Sequence, residues 1–120
     1  MRSIIKIKEN RDFRRIYGRG KSYVAPSVVV YVMKGRKNSV RFGITAGKKV
    51  GGAVQRNRAK RVITAAIRSC IENVQSGYDV IVVARSRILN EKSTSVAEVL
   101  KRQFKAAGIW CESQNEQAVN

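Results

Sequence analysis

The stretch VGGAVQRNRAKRVITAAIRSCI, Val50 to Ile71, decides how the chain is organised. Its glycine-rich start turns the backbone, and from about Ala53 to Ile71 its residues repeat with helical period. Ala59, Val62, Ile63, Ala66 and Cys70 share one face, while Asn57, Lys60, Arg61, Thr64 and Arg68 share the other, flanked by Arg56 and Arg58. Upstream, Val40, Phe42 and Ile44 alternate with Arg41, Gly43 and Thr45, the pattern of a half-buried strand. Downstream, Tyr78 to Ala84 is a continuous apolar run of the kind enclosed within a sheet. A strand, a long amphipathic helix and a second strand therefore form the centre of the chain.

Working outward, Ser27 to Met33 follows the only proline, Pro26, and is rich in β-branched residues, which predicts a strand. A turn at Gly35 to Asn38 makes the Val40 strand its antiparallel partner. Near the N-terminus Asn10 can cap a short helix whose apolar residues are Phe13, Ile16 and Tyr17, with Asp12 at its positive end and Gly18 and Gly20 as its stop. Ser93, Thr94 or Ser95 can cap a last helix carrying Val96, Val99, Leu100 and Phe104, ended by Gly108. The order helix, strand, strand, helix, strand, helix predicts an α+β fold, a small α/β sandwich with helices on a sheet. Residues 1–111 are expected to make one domain and 112–120 a polar flexible tail.

Charge says what the domain meets. The chain has 120 residues, 25 Lys plus Arg against 8 Asp plus Glu, and a net charge of +17. Residues 1–61 hold 18 of the basic residues and 2 of the acidic ones, a net of +16, so one half carries the field. Such asymmetry points to a polyanion, nucleic acid before an anionic membrane surface. No run approaches the roughly 20 apolar residues of a membrane helix, and the N-terminus lacks the apolar core of a secretory signal, so a cytoplasmic protein is expected, with no membrane and no obligate protein partner. There is no histidine, which removes the usual general base and the commonest zinc ligand. The carboxylates are scattered, so no catalytic residue and no protein-bound metal is expected. Cys70 and Cys111 read as packing residues or incidental thiols.

Between Ala53 and Ile71 there is no acid at all. Charged helix faces usually mix signs, whereas Arg56, Arg58, Lys60, Arg61 and Arg68 make this one a phosphate-binding surface, with Asn57 available to a base, sugar or phosphate. The glycines before it do not form a phosphate-cradling P-loop, because Gly47 leads to Lys48, Lys49, Val50, Gly51 and Gly52 rather than to the required Gly-Lys-Ser/Thr order. Phe13, Tyr17 and Tyr31 form a second set: beside Arg14, Arg15 and Arg19 they fit a stacking platform for single-stranded nucleic acid, with core packing as the other reading.

The glycine-rich turn, Ala53-Val54, Arg56-Asn57-Arg58 and Lys60-Arg61 resemble the RNR signature of the bacterial ribonuclease P protein family. The ordered set extends the likeness over residues 6 to 107: NRDFRRIY at Asn10 to Tyr17, the Tyr31 strand, Phe42-Gly43-Ile44 before Lys48-Lys49, and Tyr78-Asp79 to Ala84-Arg85. The resemblance implies a ribosomal-protein-like fold with a left-handed βαβ crossover, against the general right-handed rule. It implies a protein subunit of ribonuclease P whose RNA subunit holds the active site and uses Mg2+ to free the mature 5′ end of precursor tRNA. By the same resemblance Phe13, Tyr17 and Tyr31 meet the single-stranded 5′ leader, and Lys48, Lys49, Arg56, Asn57, Arg58, Lys60, Arg61 and Arg68 meet the catalytic RNA. Thr64, Gly52 and Gly47 depart from the family pattern, where Arg, Asn and Ser are common. A structural ribosomal RNA-binding protein is the alternative.

Overall fold

The computed structural model describes residues 3–112; of the tail expected at 112–120, all but Glu112 lies outside them. Five strands and three helices follow one another as β1 (Ile5–Lys6), α1 (Asn10–Arg19), β2 (Lys21–Val24), β3 (Val28–Lys34), β4 (Val40–Thr45), α2 (Ala53–Cys70), β5 (Tyr78–Ala84) and α3 (Ser93–Ala106). The fold is α+β with one mixed sheet, ordered β1-β4-β5-β3-β2. Among the described residues no helix is long and apolar enough to cross a membrane.

The expected β3–β4 hairpin does not form. β5 lies between the two, antiparallel to β3 with Tyr31 opposite Ile81, and parallel to β4 with Gly43 opposite Ile81. The reason is in β5 itself: Val80, Ile81 and Val82 are fully buried and face both sides of the sheet alternately, so its backbone N–H and C=O groups are shut away from water and need a paired strand on each edge. Each such side chain contributes about 1.5–3 kcal/mol when taken out of water. β3 and β4 are thereby set two strand spacings apart, about 10 Å, which a two-residue turn cannot span. The Gly35–Ser39 link straddles the start of β5 instead: the Gly35 N–H donates to the Gly77 carbonyl and the Gly77 N–H to that of Ser39.

α2 and α3 cover one face of the sheet. Ala59, Ile63, Ala66, Ile67 and Cys70 of α2 and Val96, Leu100 and Phe104 of α3 pack on Val28, Val30, Phe42, Val80 and Val82. Gln103 ties α3 to the sheet by donating from Nε2 to the carbonyls of Tyr23 (2.8 Å) and Val28 (3.2 Å). α1 crosses the other face over a smaller core of Ile7, Ile16 and Ile81, with Phe13, Tyr31, Met33 and Val83 against it.

The helix ends differ from expectation. Asn10 is the first helical residue of α1 and Glu9 its N-cap, and Ser93 likewise follows the N-cap Lys92; neither cap's side chain bonds a backbone N–H of its helix. α1 continues through Gly18 and ends at Gly20, whose N–H donates to the Ile16 carbonyl. Gly108, with φ +77°, does close α3. β1 and β2 are absent from the expected order. β1 was announced by the alternation Ile5-Lys6-Ile7-Lys8, and β2 is a short edge strand held by its pairing with β3.

Phe13 of α1 closes directly on Gly43: a Cβ there would lie 2.8 Å from the Phe13 ring and 3.3 Å from Ile81. Gly43→Ala should therefore lower stability by about 1–3 kcal/mol through overpacking. Urea denaturation measures it, and adding Phe13→Leu, which removes the obstructing ring edge, should return part of the loss.

Candidate nucleic-acid interface

α1 divides its side of the sheet into two flanks. On one flank Phe13, Tyr17 and Tyr31 come together, as their spacing in helix and strand required them to if α1 packed beside β3. Tyr17 meets Tyr31 edge-on at 4.9 Å between ring centroids, and Phe13 lies 6.2 Å from Tyr17. The rings divide between core and solvent. Phe13 and Tyr31 are half-buried against the small core, and Tyr17 is 40% exposed. Beyond the rings the same sheet face continues into half-exposed Val29, Val83 and Thr45 and exposed Val24, so the platform opens onto uncovered sheet.

Arg15 does not join the rings. It leaves the opposite flank of α1 and reaches the carboxylate of Asp79 on β5, Nη2 to Oδ2 at 3.2 Å. Arg41 on β4 binds that carboxylate in bidentate fashion, Nε to Oδ1 at 3.0 Å and Nη2 to Oδ2 at 2.8 Å. Asp12 completes the group, 3.2 Å from Arg15 and 3.6 Å from Arg41. Asp12 is thus more than a dipole residue. The Asp79 side chain is 2% exposed, and Gly35 makes room for it: a Cβ there would stand 2.6 Å from Oδ1. Burial pushes the Asp79 pKa up, but the hydrogen bonds and charges of Arg41 and Arg15 together outweigh it and hold the carboxyl below its ordinary range. The Arg41 guanidinium is correspondingly held more firmly in its charged form, first through its hydrogen bonds to Asp79. A lone acid in an apolar strand was the signal for this network, since a buried charge demands a partner.

The second surface lies on the far side of the sheet. Asn57, Lys60, Arg61, Thr64 and Arg68 line one shallow cleft of ≈ 550 Å3 along the outer face of α2, joined by Lys6 from β1. Arg56, half-buried, and Arg58, exposed, flank this stripe. Lys48 and Lys49 are exposed in the turn between β4 and α2 and do not line the cleft. The Thr64 hydroxyl is turned back onto its own helix, donating to the Lys60 carbonyl at 2.8 Å. Lys6 and Lys8 were not foreseen, because their contribution depends on β1 pairing beside β4 at the edge next to α2.

Among the described residues no group of three or more His, Cys, Asp or Glu side chains is placed to share a metal ion. Burial pushes the Cys70 thiol up to about 11, far from a reactive thiolate.

A family model for ribonuclease P matches residues 1–108. The ribonuclease P protein component of Clostridium botulinum (strain Langeland) is 40% identical over 106 residues, covering 88% of this chain and 96% of the relative. That of Clostridium kluyveri is 38% identical over 109 residues, covering 89% and 97%. Among solved structures, the Staphylococcus aureus RNase P protein superposes with a TM-score of 0.78 at 31% identity, covering 90% of this chain and 99% of that one. The Thermotoga maritima RNase P protein gives 0.74 at 27% identity, covering 83% and 96%.

Breaking the buried ion group should be costly. Asp79→Asn leaves Arg15 and Arg41 with Asp12 as their remaining charge partner and should destabilise the protein by about 1.5–3 kcal/mol, the range for losing hydrogen bonds to a charged group. The pH dependence carries the signature. Because the folded pKa of Asp79 is depressed, its contribution is present above the unfolded value near about 3.9 and is lost as pH falls toward the folded value. Urea midpoints across the acid range should fall for the parent chain over that window and fall less for Asp79→Asn.

Proposed function

Because the chain belongs to the ribonuclease P protein family, the protein subunit of a ribonucleoprotein endoribonuclease of tRNA processing, we propose that it works with two separate RNA surfaces. The outer face of α2 with its approaches, Lys48, Lys49, Arg56, Asn57, Arg58, Lys60, Arg61 and Arg68, binds the catalytic RNA. The Phe13–Tyr17–Tyr31 platform holds the single-stranded 5′ leader of precursor tRNA. The active site lies in the RNA subunit, which with Mg2+ cleaves the phosphodiester, while the protein lends affinity for the leader. The observation that carries this reading is the pairing of an acid-free cationic helix face on one side of the sheet with clustered, partly exposed rings on the other. Phosphate contacts bind without regard to base, and ring stacking takes any base, as a leader of varied sequence requires.

The crossover β4–α2–β5 is, in the same reading, left-handed. Phe42 points its side chain to the α2 face, while its carbonyl accepts from the Ile7 N–H just beyond β1. For an L-residue seen from its side-chain face with the strand running upward, N–H and C=O point right, so β1 lies to the right of β4 and β5 to its left. A chain that rises through β4, descends in front through α2 and rises again on the left turns with a left hand. This is the exceptional hand for a βαβ unit.

In the holoenzyme reconstituted with its cognate RNA, Tyr17→Ala should weaken binding of precursor tRNA by about 1–3 kcal/mol, the value of one base–aromatic stack, and leave mature tRNA unaffected. Equal losses for both RNAs would assign the ring to folding instead. Arg56→Ala or Arg58→Ala should weaken association with the catalytic RNA by about 1–3 kcal/mol and flatten its salt dependence. Protein freed of RNA should not cleave precursor tRNA at any Mg2+ concentration.

A further inference from the structure

We propose that the cleft on the Arg15 flank of α1 is a further contact for the backbone of the catalytic RNA, continuous around the β1 edge with the α2 stripe. The inference rests on the reading of α2 just given. The cleft has a volume of ≈ 670 Å3 and lies between the start of α1, the end of β1 and the link from β3 to β4. Its floor is the Arg15, Arg41, Asp12 and Asp79 group, whose two positive and two negative charges satisfy one another. The floor therefore gives the cleft its shape and no net charge.

The rim is different. Lys6, Lys8, Arg11, Lys34 and Arg36 surround the opening, with Glu9 as the one acid, and Glu9 is taken by Arg11 at 2.9 Å. Lys6, Lys8, Lys34 and Arg36 make no ion pair with any described carboxylate, so four cations from two strands, the link after β1 and a turn face one opening. Lys6 also lines the α2 cleft, and Lys6 and Lys8 both line the gap of ≈ 230 Å3 between β1 and α2 that joins them. The cationic surface thus runs unbroken from Arg68 and Arg61 across Lys6 and Lys8 to Lys34 and Arg36.

Its chemistry selects the occupant. Long, exposed side chains spread over three elements suit a row of phosphates better than one small anion, which needs donors converging on a point. No aromatic residue lines the cleft, so it offers single-stranded bases nothing to stack on. The body of α1 separates it from Phe13 and Tyr17, while Lys6 and Lys8 join it to α2. A backbone held by α2 is therefore the strand that reaches it, rather than the leader.

The test uses the reconstituted holoenzyme with Lys34→Ala/Arg36→Ala, two exposed side chains on the turn side of the cleft, and with Lys34→Arg/Arg36→Lys as the charge-preserving control. The alanine pair should weaken binding of the RNA subunit about tenfold at moderate salt. It should lower the log–log salt slope by about 1.4 to 1.8, two phosphates' worth. The charge-preserving pair should keep parental affinity, both pairs the parental melting temperature, and the precursor-to-mature tRNA affinity ratio should not move. Unchanged affinity, in a holoenzyme where Arg56→Ala/Arg58→Ala does weaken RNA binding, overturns the proposal and leaves the α2 reading standing. If the α2 pair has no effect either, the α2 reading fails and this inference falls with it. A loss confined to precursor tRNA makes the leader the occupant and equally overturns the proposal.

Discussion

The burial of β5 on both faces is the constraint from which the architecture follows. A strand carrying Val80, Ile81 and Val82 in succession leaves no side for water, so helices must cover both faces of the sheet and strands must flank both edges. β3 and β4 are pushed apart to admit it. α2 and α3 close one face and α1 the other. The single charge in the strand, Asp79, then determines how α1 is held, because a carboxylate in that position persists only with cations brought to it.

That requirement gives the sides of α1 different characters. Arg15 is drawn down toward Asp79 and Met33, 3.9 Å from the Met33 sulfur. Ile16 is buried beneath the helix, and Phe13 and Tyr17 are left on the other flank. The helix is thus fixed at two kinds of contact, an ion group on one side and the close approach of Phe13 to Gly43 on the other. Fixing the helix fixes the Tyr17–Tyr31 geometry, and under the proposed function that ring spacing is what a stacking surface must hold constant to receive a base without reorganising.

The electrostatic division of labour is equally physical. Where acids occur in the basic half they are consumed locally, Glu9 by Arg11 and Asp12 by Arg15 and Arg41. α2 has none to consume. The field around α2 and the β1 edge is therefore uncompensated within the described residues, which disfavours the compact free protein and rewards the arrival of phosphates. The Thr64 hydroxyl, closed onto the Lys60 carbonyl, interrupts the row of cations without adding a charge of either sign.

The sequence by itself determined which elements form and which of their faces are apolar, since periods of 2 and 3.6 residues are local properties: β3, β4, β5, all three helices and the cationic side of α2 were legible in it. The ring set Phe13, Tyr17 and Tyr31 was legible too, given one assumption about packing. Only the tertiary structure decided that β5 separates β3 from β4, that Arg15 turns away from the rings to Asp79, and that Lys6 joins the α2 cleft. Periodicity states which side of an element avoids water but not which neighbour supplies the shelter. An ion pair or a shared cleft depends on distances between residues far apart in the chain, such as the 64 positions between Arg15 and Asp79, and those distances exist only once the sheet has chosen its order.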